Sequence, residues 1–538
     1  MSDPHCLSQR LRDSFDRNSQ APSILANGSS WSYADLSSLA DAVRKPLLDL
    51  PQAPVAIFAD RSFSAFASIV GTSISGRPFV PLNPAFPDER NAEIIRRGYA
   101  RYALVEKSLL PKFYQLLRTL SDVDFDHSKP GEIRSLSLGI DLELCRIPTS
   151  AERDAGGSPH ELSDSAYILF TSGSTGKPKG ISVSRANLSA YLDHAVEAFP
   201  VGVGNRASQM FDLTFDLSIH DIFVTFLSGG ALVVPTKVDR FSPSTFINRH
   251  QITHWFSVPS VLTILDKLRA LKPGSFPSVK QSLFCGEALP SGLADKWRAS
   301  APNSSVFNLY GPTEATIAVS SFEITSSSMD NSPGVIPIGQ PFPNHQFLLR
   351  TNQTEALSET IGELVITGPQ VTAGYLDDVQ RSSQSFVQTQ ISSFQSYRTG
   401  DLASEDTEGY FHFHGRIDSQ IQLRGHRVEI LEVECALKDA VESAHNIVVL
   451  PEFGEDGLAS DLIAVFETSE GLSEDQFSLA RLRELLGDTL PEYMLPSKTV
   501  VIDSFPLNSN GKIDRGKLSN MISDHYEDKA RENSGFHS

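Results

Sequence analysis

The stretch YILFTSGSTGKPKG, Tyr167 to Gly180, decides how the rest of the chain is read. It opens on four residues with the apolar character of a buried strand and runs directly into hydroxyls, glycines and two lysines. Glycines such as Gly173 and Gly176 let the backbone approach oxygen atoms closely. Thr171, Ser172, Ser174 and Thr175 offer hydroxyl donors, and Lys177 and Lys179 offer positive charge, so the segment can wrap a polyphosphate. It is not a Walker A loop. Thr171 stands where the first glycine belongs, and Pro178 follows Lys177, so the helix of a P-loop NTPase cannot simply continue. A flexible surface linker is the plain alternative, but linkers seldom follow a buried strand directly.

Outward from this stretch, short apolar runs such as Pro54 to Phe58 and Ala231 to Val234 have the look of buried strands, with helical periodicity between them. That alternation predicts an α/β protein with largely parallel sheets. The Ser-rich segment Thr325 to Ser332 and the Asn/Gln-rich segment Thr351 to Glu355 are expected as surface loops. Near the C-terminus, strand-like YFHFHG and IQLRGHRVEI precede a helix-like LEVECALKDAVES. Strand-like NIVVL and DLIAVF follow, then a helix around Leu479 to Leu486. That order suits a small α+β unit, with its boundary near Asp418.

The 538 residues carry 46 Lys and Arg against 65 Asp and Glu, a formal charge of −19. Such an excess argues against a general affinity for nucleic acid or anionic lipid, so any anionic ligand must be held by local groups. Cys6, Cys145, Cys285 and Cys435 lie far apart, with no CxxC pair, which predicts neither a zinc site nor a disulfide framework and fits a reduced, cytoplasmic setting. The opening MSDPHCLSQRLRDSFDR lacks the apolar run of a secretion signal, and no long uncharged apolar span follows, so no membrane association is expected.

With these segments in view, the chain resembles the adenylate-forming superfamily of acyl-CoA ligases, luciferases and nonribosomal peptide adenylation domains. Further segments match that family's motifs in order: NLYGPTEAT at Asn308 to Thr316, GELVITGPQVTAGYL at Gly362 to Leu376, YRTGDLA at Tyr397 to Ala403, GRIDSQIQLRGHRVEI at Gly415 to Ile430 and PLNSNGKIDR at Pro506 to Arg515. Between them, FDLSIHDIF at Phe215 to Phe223, LFCGEALP at Leu283 to Pro290 and YGPTEATIAV at Tyr310 to Val319 look most like the D-alanine carrier-protein ligases. The resemblance implies a large N-terminal domain of layered sheets and helices over residues 1–417, binding ATP and an amino acid. A small mobile α+β domain over 418–538 would carry the catalytic lysine.

Roles follow from the same motifs. Glu314 is implied as the catalytic carboxylate holding Mg²⁺ against the phosphates. Asn308, Tyr310, Gly311 and Thr313 fall in the nucleotide site, Asp401 matches the acceptor for the ribose hydroxyls, and Arg416 contacts phosphate or ribose oxygens through its planar donor fork. Lys512 matches the mobile catalytic lysine, a cation for the charge that develops as a carboxylate attacks the α-phosphate. Asp418 matches the hinge. Gln422 departs from the family, where lysine is usual.

Asp216 matches the acid that pairs with a substrate's α-ammonium, and burying a carboxylate among apolar groups is reasonable when a cation arrives to meet it. The rest of the pocket would be Leu217, His220, Ser257, Leu283, Cys285, Leu309, Ile317 and Ala318. That set is neutral unless His220 supplies a charge. It favours a small neutral amino acid: alanine first, with serine and proline open, His220 and Leu309 departing from the D-alanine pattern. After Lys512 come only IDRGKLSN and a polar tail, so the acyl group is expected to pass to a separate phosphopantetheine-bearing carrier protein. A coenzyme A ligase for a small carboxylic acid is the alternative.

Overall fold

Runs of apolar residues become strands buried along their whole length: Val55–Phe58, Phe79–Leu82 and Ala231–Val234. Continuous burial of this kind belongs to parallel strands covered on both faces. The structure is a computed structural model that describes residues 6–120, 135–137, 141–147, 160–173, 178–325, 334–351, 361–388, 392–418, 420–441, 446–467, 477–506, 513–522 and 526. Most of the two segments expected as loops, Ser326 to Ser332 and Asn352 to Glu355, lies outside the described residues.

The chain separates into two compact units, Met1–Thr171 with Pro178–Asp418, and Ser172–Lys177 with Ser419–Ser538. In the first unit, among the described residues, a nine-stranded sheet runs in the order Gln340–Pro341, Ser320–Glu323, Ser305–Tyr310, Gln281–Phe284, His254–Ser257, Arg206–Ser208, Ala231–Val234, Pro22–Ala26, Ser29–Ser32. The six strands from Ser305–Tyr310 to Pro22–Ala26 pair in parallel, and the outer ones are antiparallel. A seven-stranded sheet holds Val55–Phe58, Phe79–Leu82, Tyr102–Glu106 and Ser165–Thr171 in parallel at its centre, with Lys179–Ser184 returning antiparallel to Ser165–Thr171. A third sheet, built on Gly362–Thr367 and Gln395–Glu405, is antiparallel throughout. Largely parallel sheets were expected. That holds for the centres of the two larger sheets only, where helical crossovers join the strands.

Local chemistry starts and stops the helices. Ser184 caps Arg185–Ala198 through a reciprocal box with Asn187. Leu217–Ser228 ends on Gly229, whose φ of 84° suits glycine. Ten consecutive residues of that helix, Leu217 to Phe226, are buried, so it runs through the core rather than along the surface.

A separate apolar cluster centres on Trp297, which is fully buried, donates from Nε1 to Ser282 Oγ at 2.9 Å and lies against Trp255, Phe276 and Phe284. Trp297→Ala is expected to cost about 3–5 kcal/mol, read as a lowered urea midpoint.

The second unit has one described sheet, with Ala459–Glu467 between Asn446–Phe453 and Lys498–Ile502. Helices Ile430–Ala440 and Leu479–Leu486 belong to the same unit. IQLRGHRVEI, expected as strand, is a hairpin of Gln420–Leu423 and His426–Glu429. Its two-residue turn, Arg424 and Gly425, has φ of 51° and 82°, the left-handed pair that a tight hairpin needs.

Candidate active site

Each sequence-predicted amino-acid residue sits in the first unit, and the parallel sheet explains why they meet. Ser257 ends the strand His254–Ser257, Leu283 and Cys285 lie at the end of Gln281–Phe284, and Leu309 lies near the end of Ser305–Tyr310. The register Phe256↔Leu283 and Leu283↔Phe307 puts these carboxyl ends side by side, the usual place for a ligand site in such sheets. Leu217, Leu283, Cys285, Leu309, Ile317 and Ala318 share one buried apolar cluster.

Asp216 stands at the N-cap of the core helix, is 7% exposed, and makes no side-chain cap bond to that helix. The positive end of the helix dipole favours its charge. Burial, and next Asp216, push the Cys285 thiol well up, so it stays protonated. Burial first and His254 second push His220 down to about 3. His220 therefore enters the pocket as a neutral ring, and the charge allowed for it from sequence is not available.

The turn that follows the short helix Thr313–Ala315 is strained. Thr316 and Ile317 have φ of 60° and 73°, uncommon for β-branched residues. Gln370, fully buried, holds this turn by donating from Nε2 to the carbonyls of Ala315, Thr316 and Ala318 at 3.3, 3.0 and 2.7 Å, while its backbone carbonyl accepts from Thr316 Oγ1 at 2.7 Å. Gly311 is required beside it, because a Cβ there would lie 2.6 Å from Ala318 Cα. Gln370→Leu is expected to leave these carbonyls short of a donor, at a cost of about 1–3 kcal/mol. A raised amino-acid KM with the ATP KM unchanged, in exchange kinetics, would show that the turn shapes the pocket.

A second cluster surrounds Glu314, in the short helix Thr313–Ala315. Its Oε1 accepts from the Tyr375 hydroxyl at 2.9 Å and lies 3.4 Å from Lys179 Nζ, and both charged groups are buried. Lys179 was expected in the phosphate loop. It is instead the first residue of the strand Lys179–Ser184, where pairing with Thr171 turns it inward.

Near the end of the unit, Asp401 accepts from the Tyr310 hydroxyl and from Arg416 Nη1, and its backbone N–H donates to Thr399 Oγ1 at 2.9 Å. Arg416 also grips Asp418 in a two-pronged pair at 2.7 and 2.9 Å. Burial, then Asp401, hold the Tyr310 phenol protonated.

Two buried oxygens nearby have no hydrogen-bond partner among the described residues: Thr171 Oγ1 and Asn308 Oδ1. Asn308 Nδ2 donates to the Pro337 carbonyl at 2.8 Å. Ser172 and Gly173 group with the second unit, where Ser172 Oγ donates to the Arg427 carbonyl at 2.6 Å and Gly173 N–H donates to Glu432 Oε2 at 3.0 Å. Ser174, Thr175, Gly176, Lys177 and Lys512 lie outside the described residues.

The residues that sequence reasoning missed are Gln370, Tyr375 and Tyr191, whose buried hydroxyl lies 2.7 Å from His220 Nδ1. Gln370 and Tyr375 fall inside the segment Gly362 to Leu376, which was legible as a motif; Tyr191 falls in none.

The sequence pattern of the AMP-binding enzymes matches residues 11–376. The chain belongs to the AMP-binding enzyme family. Among AMP-binding relatives, the D-alanine–D-alanyl carrier protein ligase of Bacillus velezensis is 30% identical, covering 96% of this chain and 99% of its own. That of Listeria monocytogenes is 29% identical, covering 92% and 95%. Among solved structures, the Vibrio cholerae adenylation domain AlmE, in complex with glycyl-adenosine-5'-phosphate, superposes with a TM-score of 0.83 at 29% identity, covering 96% of this chain and 98% of that one. The fold is thus the α/β architecture of AMP-binding adenylation domains, and the chain is an adenylate-forming enzyme by family. No helix among the described residues is long and apolar enough to cross a membrane.

Proposed function

We propose that this AMP-binding enzyme activates a small neutral amino acid, alanine foremost, and passes it to the phosphopantetheine thiol of a separate carrier protein. The reading rests on Asp216: a carboxylate at a helix N-terminus, buried beside an apolar cluster, suits a substrate that brings its own ammonium. The amino-acid carboxylate attacks the α-phosphorus of ATP, the bond to the β-phosphate oxygen breaks, and pyrophosphate leaves. In the second step the carrier thiolate attacks the acyl carbon, a thioester forms, and AMP leaves.

The residues fit the nucleotide. Thr171 Oγ1 and Asn308 Oδ1 are buried oxygens with no hydrogen-bond partner among the described residues, and Asp401, bonded by Tyr310 and Arg416, would accept the ribose hydroxyls. Glu314, a hard oxygen ligand, would hold Mg²⁺ against the phosphates. When bound, Mg²⁺ neutralises charge on the phosphates. Lys512 supplies the cation for the charge developing on the reacting oxygens, and Asp418 is the hinge of the small domain.

Glycine is a second reading, favoured by a specific observation. Leu309, Cys285, Ser257, Ile317 and Ala318 are each at most 2% exposed, and the AlmE structure contains a glycyl adenylate. Amino-acid-dependent ATP/pyrophosphate exchange with glycine, both enantiomers of alanine and serine, and proline tests all of this. Exchange with one small amino acid supports the reading. Exchange with simple carboxylic acids instead moves it to a coenzyme A ligase.

A further inference from the structure

The chain reaches Asp216 through the segment Gln209 to Phe215, which leads out of the strand Arg206–Ser208. Two side chains from the other large sheet grip this segment. Arg61 stands just beyond the strand Val55–Phe58, and Asn83 immediately beyond its parallel neighbour Phe79–Leu82, so both belong to the carboxyl ends of that sheet. Neither falls in the motifs read from the sequence.

Arg61 Nη1 donates to the Met210 carbonyl at 2.8 Å and to the Phe211 carbonyl at 3.2 Å, and the Gln209 carbonyl lies 3.5 Å away. A charged group that only donates suits successive acceptors of this kind. Burial first, and Arg240 second, lower the Arg61 pKa to about 10, so the guanidinium is still charged at neutral pH. On its other side the Met210 peptide donates its N–H to Asp221, which belongs to the same buried helix that Asp216 caps.

Asn83 acts one step further along. Its Nδ2 donates to Asp212 Oδ2 at 2.9 Å, while Asp212 Oδ1 accepts from the Thr214 N–H at 3.0 Å and from the Thr214 hydroxyl at 2.6 Å. The Asp212 carbonyl accepts from the Phe215 N–H at 3.0 Å, and the Phe215 carbonyl accepts from the Ser218 N–H at 3.0 Å. From the Arg61 clamp to Asp216 the backbone is thus a run of closed turns, which leaves little slack to absorb a shift.

We propose that Arg61 is a positioning residue for the amino-acid site: by clamping the carbonyls of Met210 and Phe211 it holds Asp216 where the carboxylate meets the substrate's ammonium. The proposal rests on the amino-acid reading of Asp216 above. Arg61 acts through the backbone of the segment, and Asn83 is a second hold on it. An aspartate side chain is short, so a displaced backbone carries the carboxylate with it.

The test is amino-acid-dependent ATP/pyrophosphate exchange by wild type, Arg61→Met, Asn83→Ala, Asp216→Ala and the double variant of Arg61→Met with Asp216→Ala, using glycine, alanine and serine. Arg61→Met removes the donors and keeps a long side chain. For the amino acid that wild type uses best, it should lower kcat/KM about tenfold or more, since a misplacement of ~1 Å can cost about a hundredfold. The loss should lie in the amino-acid KM, with the ATP KM unchanged. Asn83→Ala should act in the same direction. With Asp216 already replaced by alanine, the Arg61 substitution should have little further effect, because no carboxylate remains to be placed. An unchanged amino-acid KM in Arg61→Met, or a loss of the same size with and without Asp216, makes Arg61 a structural residue only and overturns the proposal. If Arg61→Met does not fold, an unchanged amino-acid KM in Asn83→Ala overturns it instead. A wild type that exchanges only with acids lacking an amine overturns the amino-acid reading and the proposal with it, a result distinct from amino-acid exchange that is indifferent to Arg61.

Discussion

Asp216→Ala is expected to lower amino-acid-dependent ATP/pyrophosphate exchange by about a hundredfold or more, because truncating one partner of a buried charge pair costs about 2–5 kcal/mol. The loss should appear in kcat/KM for the amino acid, with ATP binding retained. The fold should tolerate the change: Asp216 makes no cap bond to its helix, and a methyl group beside Leu217 and Leu283 removes a desolvated charge rather than leaving one unmatched. A substrate acid without an amine provides the control, since its activation has no use for the carboxylate. Undiminished exchange with an α-amino acid in the variant would remove the basis of the amino-acid reading, and unfolding by heat at the wild-type temperature would confirm that the loss is local.

The second large effect concerns stability as much as catalysis. Glu314 is fully buried and Lys179 nearly so, with 3.4 Å between the charged atoms. Glu314→Ala deprives the Lys179 ammonium of its carboxylate in a place with little water. Breaking a buried pair from one side costs about 3–5 kcal/mol. A lowered urea midpoint with an unchanged slope would report it. Lys179→Met combined with Glu314→Gln removes both charges and should recover a large part of that loss, because the Tyr375 hydroxyl can still bond to the amide. Activity should not recover with it: the double variant has no carboxylate for Mg²⁺, and exchange should remain about a hundredfold down at all magnesium concentrations. Recovery of exchange along with stability would show that Glu314 is a structural acid only.

If Glu314 takes Mg²⁺ as proposed, it must give up part of its engagement with Lys179 and Tyr375. Its partners are well suited to this, because an ammonium and a phenol can both turn toward phosphate oxygens instead. Arg416 behaves similarly at the other end of the unit. Its fork is shared between Asp401 and Asp418, so a ligand at Asp401 or a movement at Asp418, if either occurs as proposed, would draw on the same guanidinium.

What the sequence by itself determined is local. Continuous apolar runs such as Ala231–Val234 had to be buried strands, since a parallel strand covered on both faces has no polar side to show. The helix at Leu479–Leu486 followed from its periodicity. The residues that match family motifs also gave the chemistry of the reaction and of the family to which the chain belongs. Only the tertiary structure decided which groups meet. Lys179 read as a loop cation, yet antiparallel pairing with Thr171 carries it inward to Glu314. The turn at Arg424 and Gly425 was hidden because both flanking segments are strand-like, and a hairpin is set by two backbone angles rather than by composition. His220 looked able to carry charge, until burial by elements from across the chain pushed its pKa to about 3. Tyr191 and Gln370 have meaning only through partners distant in sequence, His220 and the turn at Thr316. Residue type fixes what a side chain can do; desolvation and pairing, which depend on the whole fold, fix what it does.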